Sequence, residues 1–324
     1  DDGNTVEYTT SGQSINIVYS DATKGWIPLE DDVTALEPTA PPTQKAIFGY
    51  GSGRTNITNL INSSGVVGAD VTGVGTARNA LAAAGYGGDK AIFGFGTTGS
   101  FTAITNLVNN SGVVAADVSG VGTARMELAA ATYGTDKAIF GYGTNSSEGT
   151  PLSLTNLVNN SGVVASDTTG VGTDKRTLAA TGYGTDKAIF GYGLDSGNSS
   201  TTNLVSNSGV VATDTSGVGT ARYGLAAARY GGDKALFAYG YASGNVSLKN
   251  LVSNLGVVAA DVSGVGTARQ GVAAAGYGGD KAIFGYGSSH VSNLVSNTGV
   301  VAADVSGVGT SRQYLAAAGY STSA

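Results

Sequence analysis

Short apolar segments alternate with turn residues along most of the chain, and the same four segments recur. One copy reads ARYGLAAARYG (221–231), KALFAYG (234–240), LKNLVSN (248–254) and GVVAADV (256–262). Short apolar runs bounded by Gly, Asn and Asp predict β-strands, and no copy holds an apolar stripe of helical period long enough for two helices. Because turn residues join the first pair and the last pair, each repeat is predicted to be two hairpins, that is, four antiparallel strands.

The second segment marks the repeat best. DKAIFGYG begins at Asp136 and at Asp186, and close variants begin at Gln44, Asp89, Asp233 and Asp280. The lysines of these octamers are 45, 47, 50, 47 and 47 residues apart along the chain. Periods of roughly 40 to 50 residues are typical of β-propellers and of helical solenoids. The high Gly, Val and Thr content disfavours helices, so we expect an all-β, six-bladed propeller.

The repeat is permuted relative to the chain ends. The first copy starts with a second strand at Gln44, and the chain ends with SRQYLAAAGY (311–320), a first strand that lacks its following octamer. Pairing of this last strand with the octamer at Lys45 would close the ring from opposite ends of the chain and leave no unpaired edge. The sequence therefore predicts six complete four-stranded blades within residues 44–324.

A family resemblance follows from the order of these features. The repeats contain the same features in the same order: an Arg, a small-residue strand, Gly-Gly or Gly-Thr, an apolar aromatic strand ending in glycines, a variable loop and an Asn-containing strand. This order resembles the kelch repeat of β-propellers over about residues 44–320. Here the glycines flank an aromatic residue, as in GYG, and the late tryptophan of the kelch repeat is absent. The resemblance implies a propeller fold.

The first residues differ in kind from the repeats. QSINIVYSDATKGWIPLEDD (13–32) alternates apolar and polar residues over INIVYS as a strand does, and it holds the single tryptophan, Trp26. This segment resembles part of bacteriophage virion fibre proteins, which implies attachment to a fibre or capsid component. We therefore expect a β attachment segment at 1–34, a proline-rich linker at 35–43 and the propeller at 44–324.

The length of the repeat varies at one place only. From each marker lysine to the Asn of the third strand the separations are 14, 16, 19, 16, 16 and 12 residues, whereas that Asn is always 11 residues before an Asp. The variation therefore lies in the loop between the second and third strands. In an antiparallel meander this loop shares a face with the SGVGTAR connectors between blades. Loops on a rigid scaffold usually carry recognition, so this face is the predicted binding face.

The variable loops are rich in small, hydroxyl and amide side chains, with a few aromatic or charged residues. Such a surface suits a carbohydrate, bound by hydrogen bonds with occasional stacking. The alternative is that the loops tolerate insertions because nothing depends on them. The ligand-binding candidates are Arg54, Phe101, Glu148, Asp195, Asn198, Tyr241, Asn245 and His290.

One repeat position holds a cation in every copy. Six cations around a ring would attract an anionic ligand such as a sialic or uronic acid. The alternative is that each pairs with a neighbouring Asp or with connector carbonyls. The aromatic residue of each GYG is expected to pack between blades, and each repeated Asp to form a turn rather than a calcium loop. The ring-cation candidates are Arg78, Arg125, Lys175, Arg222, Arg269 and Arg312.

Composition excludes several classes of function. The 17 basic and 23 acidic residues leave a net charge of −6 with no clustered basic face, so no nucleic-acid partner is expected. The absence of cysteine excludes thiolate metal sites and a galactose-oxidase-type copper centre, and the single histidine excludes a His-rich site. The SxDxGxTW pattern of sialidase propellers is also absent. We therefore expect no enzymatic activity and no cofactor.

No run of about eighteen apolar residues occurs, so no membrane insertion is expected. The chain also begins without Met or an apolar leader, which we interpret as a processed product or part of a longer protein. The expected function is a recognition module on a virion appendage, a fibre or spike. It would bind a host-surface glycan or receptor through the variable loops and other virion subunits through its N-terminal segment. The alternatives are a purely structural assembly subunit and a secreted or cell-surface bacterial lectin or adhesin.

Overall fold

The computed structural model describes residues 14–21, 25–32 and 43–323, and these residues form strands, turns and loops without a helix. No helix in these ranges is therefore long and apolar enough to cross a membrane. The chain divides into two compact units, Asp1–Ala40 and Pro41–Ala324.

The first unit contains one antiparallel hairpin, β1 (Ser14–Asp21) paired with β2 (Gly25–Asp32). The strand predicted over INIVYS is thus confirmed as part of β1. The second strand, GWIPLEDD, was not predicted. The predicted linker, 35–43, lies outside the described residues except for Thr43, and it stays a prediction.

The octamers form the central strands of the second unit. These strands are buried on both faces after their first lysine, which is why they contain an almost unbroken apolar run. They are β3 (Lys45–Gly49), β6 (Lys90–Gly94), β9 (Lys137–Gly141), β12 (Lys187–Leu194), β15 (Lys234–Ala238) and β18 (Lys281–Gly285).

The LAAA-type segments form the first strand of each sheet. Most alternate buried and half-buried residues, so one face packs between sheets and the other is partly open. They are β5 (Ala82–Tyr86), β8 (Ala129–Tyr133), β11 (Ala179–Tyr183), β14 (Ala226–Tyr230), β17 (Ala273–Tyr277) and β20 (Ala316–Tyr320).

The Asn-containing segments form the third strand of each sheet. They are β4 (Thr58–Ile61), β7 (Thr105–Val108), β10 (Thr155–Val158), β13 (Asn198–Val205), β16 (Lys249–Val252) and β19 (Ser292–Val295). The six antiparallel sheets are sheet 1 (β20-β3-β4), sheet 2 (β5-β6-β7), sheet 3 (β8-β9-β10), sheet 4 (β11-β12-β13), sheet 5 (β14-β15-β16) and sheet 6 (β17-β18-β19). This organisation is consistent with a six-bladed propeller.

The prediction of four strands per sheet is wrong. The GVVAADV-type segment touches the third strand only through isolated bridges, such as Val67 to Ile61 and Val71 to Thr58 in sheet 1. The two bridges differ in register by one residue, so the segment bulges between them. The Asn59 amide fills the bulge by donating to the Gly68 carbonyl (3.0 Å) and to the Asp70 carboxylate (2.9 Å). The side chain thus bonds the bulge, while backbone bonds join Thr58 to Val71 and Gly68 to Leu60 on either side of it.

The core lies between sheets rather than within them. Six buried clusters each combine residues of two neighbouring sheets, and together they link every sheet to two others. A phenylalanine of one central strand packs against the first glycine of the neighbouring GYG. A Cβ added to Gly49, for example, would lie 2.7 Å from the Phe93 ring. That close approach explains why five of the six octamers have glycine at this position, where the sixth has Ala238.

The pairing predicted for the chain ends is confirmed. The last strand, β20, pairs antiparallel with β3, from Ala316 opposite Gly49 to Tyr320 opposite Lys45. Within residues 43–323 no strand ladder continues from one sheet into the next, so the prediction that this pairing closes the strands into a ring is wrong. The turn between the first and second strands of each sheet does form a backbone hydrogen bond with the next sheet. The chain ends take the place of this turn in sheet 1, since Gly278 donates to the Gln44 carbonyl (3.0 Å) and Ser321 donates to the Asp89 carbonyl (2.8 Å).

Truncation after Tyr314 should destabilise the whole second unit, because it removes β20 and exposes both clusters that sheet 1 shares with its neighbours. Loss of its four buried apolar side chains, Leu315, Ala316, Ala318 and Tyr320, costs about 5 kcal/mol or more, so we expect the melting temperature to fall by roughly 10 °C or more. Calorimetry measures the shift. Truncation after Ser321 retains β20 and serves as the control, and an unchanged melting temperature in the longer deletion would contradict the role of β20.

Candidate functional site

Every ring cation is buried at a junction between two sheets. Arg125 is 0% exposed, and its guanidinium lies 4.4 Å from the ring centroid of Phe95 in sheet 2. It donates to the carbonyls of Tyr142 (2.8 Å) and Thr123 (3.1 Å) and to Asn156 Oδ1 (2.8 Å) of sheet 3. Burial lowers the pKa of Arg125 to about 10, and the charge of Asp167 opposes that shift, so the side chain stays charged at neutral pH.

An aspartate completes each junction. Asp167 accepts hydrogen bonds from the Thr123 backbone (2.9 Å), the Thr123 hydroxyl (2.6 Å) and the Asn156 amide (2.9 Å). Burial alone would raise the pKa of Asp167, but these hydrogen bonds and the Arg125 charge hold it below its usual value. The pKa is lowered in the same way for Asp70, Asp117, Asp214, Asp261 and Asp304.

The same junction recurs around the second unit, with small differences. Lys175 replaces arginine in sheet 4 and donates to Asn203 Oδ1 at 2.8 Å. In sheet 1 the two halves come from opposite chain ends, since Arg312 donates to the Tyr50 carbonyl at 2.7 Å. The cations thus make the contacts with carbonyls and with an Asp that the sequence offered as the alternative to binding an anionic ligand. All six cations are at most 1% exposed, so none offers a surface to an anionic ligand.

The aromatic residues of the GYG motifs are also structural. Tyr50, for example, is buried, packs edge-on against Phe93 at 5.2 Å between ring centroids, and donates its hydroxyl to the Val74 carbonyl at 3.1 Å. The expectation that these rings pack between neighbouring sheets is therefore confirmed.

A shallow cavity opens where the first strands begin. Each sheet contributes one pair of residues to its wall, and it encloses about 70 Å³. The pairs are Ala80-Leu81, Glu127-Leu128, Thr177-Leu178, Gly224-Leu225, Gly271-Val272 and Tyr314-Leu315. We call this cavity the axial mouth.

The backbone of the axial mouth forms a closed cycle of hydrogen bonds. The N–H of each first residue donates to the carbonyl of the equivalent residue in the preceding sheet, at 2.8 to 3.0 Å, and Ala80 donates to Tyr314 to complete the cycle. All six residues have φ between 51° and 65°. This left-handed conformation favours glycine, yet only Gly224 and Gly271 are glycines.

The side chains of the axial mouth break the sixfold pattern. Glu127 Oε2 accepts hydrogen bonds from Arg176 Nη1 (2.6 Å) and the Thr177 hydroxyl (3.0 Å). Burial raises the pKa of Tyr314, and the charges of Glu127 and Tyr223 add to that effect while Arg176 opposes it. Tyr314 therefore lies within electrostatic reach of groups from sheets 3, 4 and 5.

Aromatic and unpaired polar groups occupy the repeat position of Arg176 in other sheets. The rings of Tyr223 and Tyr241 are 5.3 Å apart and inclined by 40°. Among the described residues, the buried Asn79 Oδ1 and Gln270 Oε1 atoms have no hydrogen-bond partner. Asn79, Arg176, Tyr223 and Gln270 share one repeat position, directly before the residue that lines the cavity.

The variable loops begin beside this opening. The first residue of a loop bridges to the residue before the mouth, for example Thr97 to Asn79 and Tyr241 to Tyr223. Neighbouring loops touch: Asn198 donates to the Ala242 carbonyl at 3.0 Å, and a Cβ on Gly99 would lie 3.4 Å from the guanidinium of Arg54.

The eight loop candidates spread over this face instead of converging. Arg54, Glu148, Asn198, Asn245 and His290 are exposed, and Phe101, Asp195 and Tyr241 are half-buried. The Asp195 carboxylate accepts a hydrogen bond from its own loop at Gly197 (3.0 Å), and a Cβ on Gly307 would overlap the His290 ring. Tyr241 alone of the eight is in ring contact with a residue beside the axial mouth.

Sequence reasoning missed the axial mouth. Its signal is a variable dipeptide between the ring cation and the Leu or Val that starts the first strand, which reads NA, ME, RT, YG, QG and QY in chain order. The flanking residues hardly change, so this dipeptide is a second place where the repeat varies. Because the dipeptide has the same length in every repeat, a comparison of repeat lengths does not detect it.

No group of three or more His, Cys, Asp or Glu side chains that could hold a metal occurs within residues 14–21, 25–32 and 43–323. Comparison of the chain with known protein families and with curated proteins found no match in either.

Replacement of Arg125 by Met should destabilise the protein by about 3 kcal/mol or more, because it leaves Asn156 Oδ1 and the Tyr142 carbonyl buried without a donor. Arg125→Lys should cost clearly less, since Lys175 fills the equivalent position in sheet 4 and donates to the matching asparagine. Chemical denaturation measures both variants. Equal losses of unfolding free energy in the Met and Lys variants would show that the charge and its hydrogen bonds contribute little.

Acid should destabilise the protein through the six junction aspartates. Their folded pKa values lie below the ordinary 3.8, so their contribution is complete above that pH and is lost as the pH falls through the folded values. We expect the melting temperature to drop steeply below about pH 4. The double variant Asp70→Asn, Asp304→Asn should be less stable at neutral pH and show a shallower acid slope, and an unaltered slope would contradict this assignment.

Proposed function

We propose that residues 43–323 form a six-bladed, three-stranded β-propeller that acts as a non-enzymatic recognition module. The face that carries the variable loops and the axial mouth would bind a glycan or other receptor on a host cell surface. The observation that carries this proposal is the location of the variation. Loop length and the mouth dipeptide change from repeat to repeat on one face, while the junctions and hairpin turns are nearly identical.

The placement of the chain ends supports the proposal. Gln44 and Ser321 occupy the position of the sixth hairpin turn, and this turn lies at the opposite end of the strands from the variable loops. A repeat unit tethered through its N-terminal end thus keeps its loop face clear of the tether. This arrangement suits a module that is held at one face and binds with the other.

The chemistry of the loops supports a hydroxylated ligand. The loops offer hydroxyl, amide and backbone groups, such as the Asn198 amide and Thr97 hydroxyl, and half-buried rings such as Phe101 and Tyr241. Saccharides are bound by this combination of hydrogen bonds and ring contacts. The resemblance of residues 13–32 to virion fibre proteins supports a location on a phage fibre or spike, with the N-terminal segment contacting other virion subunits.

The proposal predicts that loop exchange changes binding without changing stability. Replacing TNSSEGTPLSLT (144–155) by the sequence of the shorter loop, TTGSFTAIT (97–105), keeps the threonines that end both loops. We expect an altered binding profile on a glycan array and a melting temperature within a few degrees of the parent.

Gly88→Thr is the matched control on the opposite face, because Thr135 occupies the same turn position in the next repeat with φ of 69°. It should leave the array profile unchanged. If no glycan binds and the loop face instead captures purified virion subunits, the module has an assembly role. If the chain binds glycans but is found on bacterial cells and not on particles, it is an adhesin.

A further inference from the structure

The axial mouth has one sector that differs from the rest. Here Glu127, Arg176 and Thr177 form a hydrogen-bonded group at the boundary of sheets 3 and 4. The Tyr223–Tyr241 ring pair lies at the next boundary, toward sheet 5. Tyr314 of sheet 1 lines the same cavity. Charged, hydroxyl and aromatic groups from three consecutive sheets, 3, 4 and 5, therefore lie at this part of the opening.

Backbone strain indicates that these side chains are retained for a reason other than folding. Glu127, Thr177 and Tyr314 have φ of 57°, 53° and 51°, where a side chain is unfavourable. Gly224 and Gly271 occupy the equivalent positions in sheets 5 and 6, with the same backbone hydrogen bonds. Glycine would thus satisfy the fold at every position of the cycle.

The charge of the sector limits the ligand. Glu127 and Arg176 neutralise each other at 2.6 Å, and the six ring cations are buried in the junctions below. Among the described residues that line the axial mouth or directly precede its first lining residues, Arg176 is the one cation, and Glu127 compensates its charge. The sector therefore favours an uncharged ligand over a sialic or uronic acid.

The polar groups suit hydroxyls. A carboxylate and a guanidinium side by side accept from and donate to neighbouring hydroxyl groups with charge-assisted bonds. The tyrosine rings offer a flat apolar surface to the C–H face of a sugar ring.

The size of the cavity indicates which part of a ligand enters. Its 70 Å³ is room for a few water molecules, far below the roughly 300–1,000 Å³ of pockets that enclose a small molecule. Only the hydroxyl-bearing edge of one sugar residue would fit, and the remainder would lie over the tyrosine pair and the loops.

We infer that this sector is the primary subsite for the terminal residue of a neutral saccharide. Glu127 and Arg176 would bind adjacent hydroxyls, and Tyr223 with Tyr241 would stack on the ring. The inference rests on the proposed function and adds to it the ligand class and the residues that select it.

The repeats supply variants that fit the fold. Glu127→Gly and Tyr314→Gly introduce the residue found at 224 and 271, and Arg176→Gln and Tyr223→Gln introduce the residue found at 270. Because glycine suits the left-handed conformation, the first two should not lower stability. Met126→Gln is the matched control, because Met126 occupies the repeat position of Arg176 and Tyr223 but belongs neither to the Glu127–Arg176–Thr177 group nor to the tyrosine pair.

Saturation-transfer NMR with the full chain would measure binding of methyl glycosides of galactose, glucose and N-acetylglucosamine, with methyl sialoside and methyl glucuronide as charged probes. We expect at least one neutral glycoside to bind and the charged probes to bind at least about tenfold more weakly. Glu127→Gly, Arg176→Gln and Tyr223→Gln should each weaken the neutral ligand at least about tenfold, with Met126→Gln unchanged.

The outcomes separate the two proposals. If a neutral glycoside still binds to all four mouth variants but not to the loop-exchange variant, the subsite is overturned and the proposed function stands. Preferred binding of a charged probe overturns the ligand class. Absence of any saccharide binding by the parent chain, here and on the array, overturns both.

Discussion

The buried cation between two sheets is the interaction on which the rest of the structure depends. Each sheet is small, with three strands of mostly four or five residues, and none has enough surface to fold alone. Arg125 connects the incoming chain, the third strand of one sheet and an aromatic ring of the sheet before it, and the equivalent cations except Arg78 likewise bond to the third-strand asparagine. A guanidinium can satisfy three such partners at once because its donors point in fixed directions. The phenylalanine-on-glycine contact then sets how closely the sheets approach.

The same junction explains why the outer segment of each sheet is not a strand. The asparagine that accepts from the cation also donates to the bulged segment and to its aspartate. The outer edge is therefore held by side chains and kept irregular, which leaves no regular ladder for another chain to pair with. The contacts that join the sheets thus also keep their outer edges from pairing with another strand.

The sequence predicts much of this organisation. The apolar period of the segments indicates strands, the marker lysines indicate six repeats, and the permuted ends predict the pairing of β20 with β3. The fourth strand was predicted wrongly because GVVAADV has strand-like composition, and only the contacts of Asn59 reveal the bulge. The axial mouth could not be located from the pattern, since six variable dipeptides far apart in sequence converge only when the sheets form a cycle. Burial of the ring cations was likewise invisible, because an arginine beside a glycine-rich connector is compatible with either an exposed or a buried site.

The split of sheet 1 between the chain ends has a topological consequence. In the other five sheets, three residues such as Gly87-Gly88-Asp89 connect the first strand to the second. The chain ends merely replace this turn in sheet 1. Within residues 43–323, six sheets linked by a cycle of backbone hydrogen bonds are thus interrupted at one of six equivalent turns. A circularly permuted gene that joins Tyr320 to Lys45 through Gly-Gly-Asp and opens another turn would encode the same contacts. Relocating the cut would rotate the order of the loops relative to the point of attachment while leaving every junction in place.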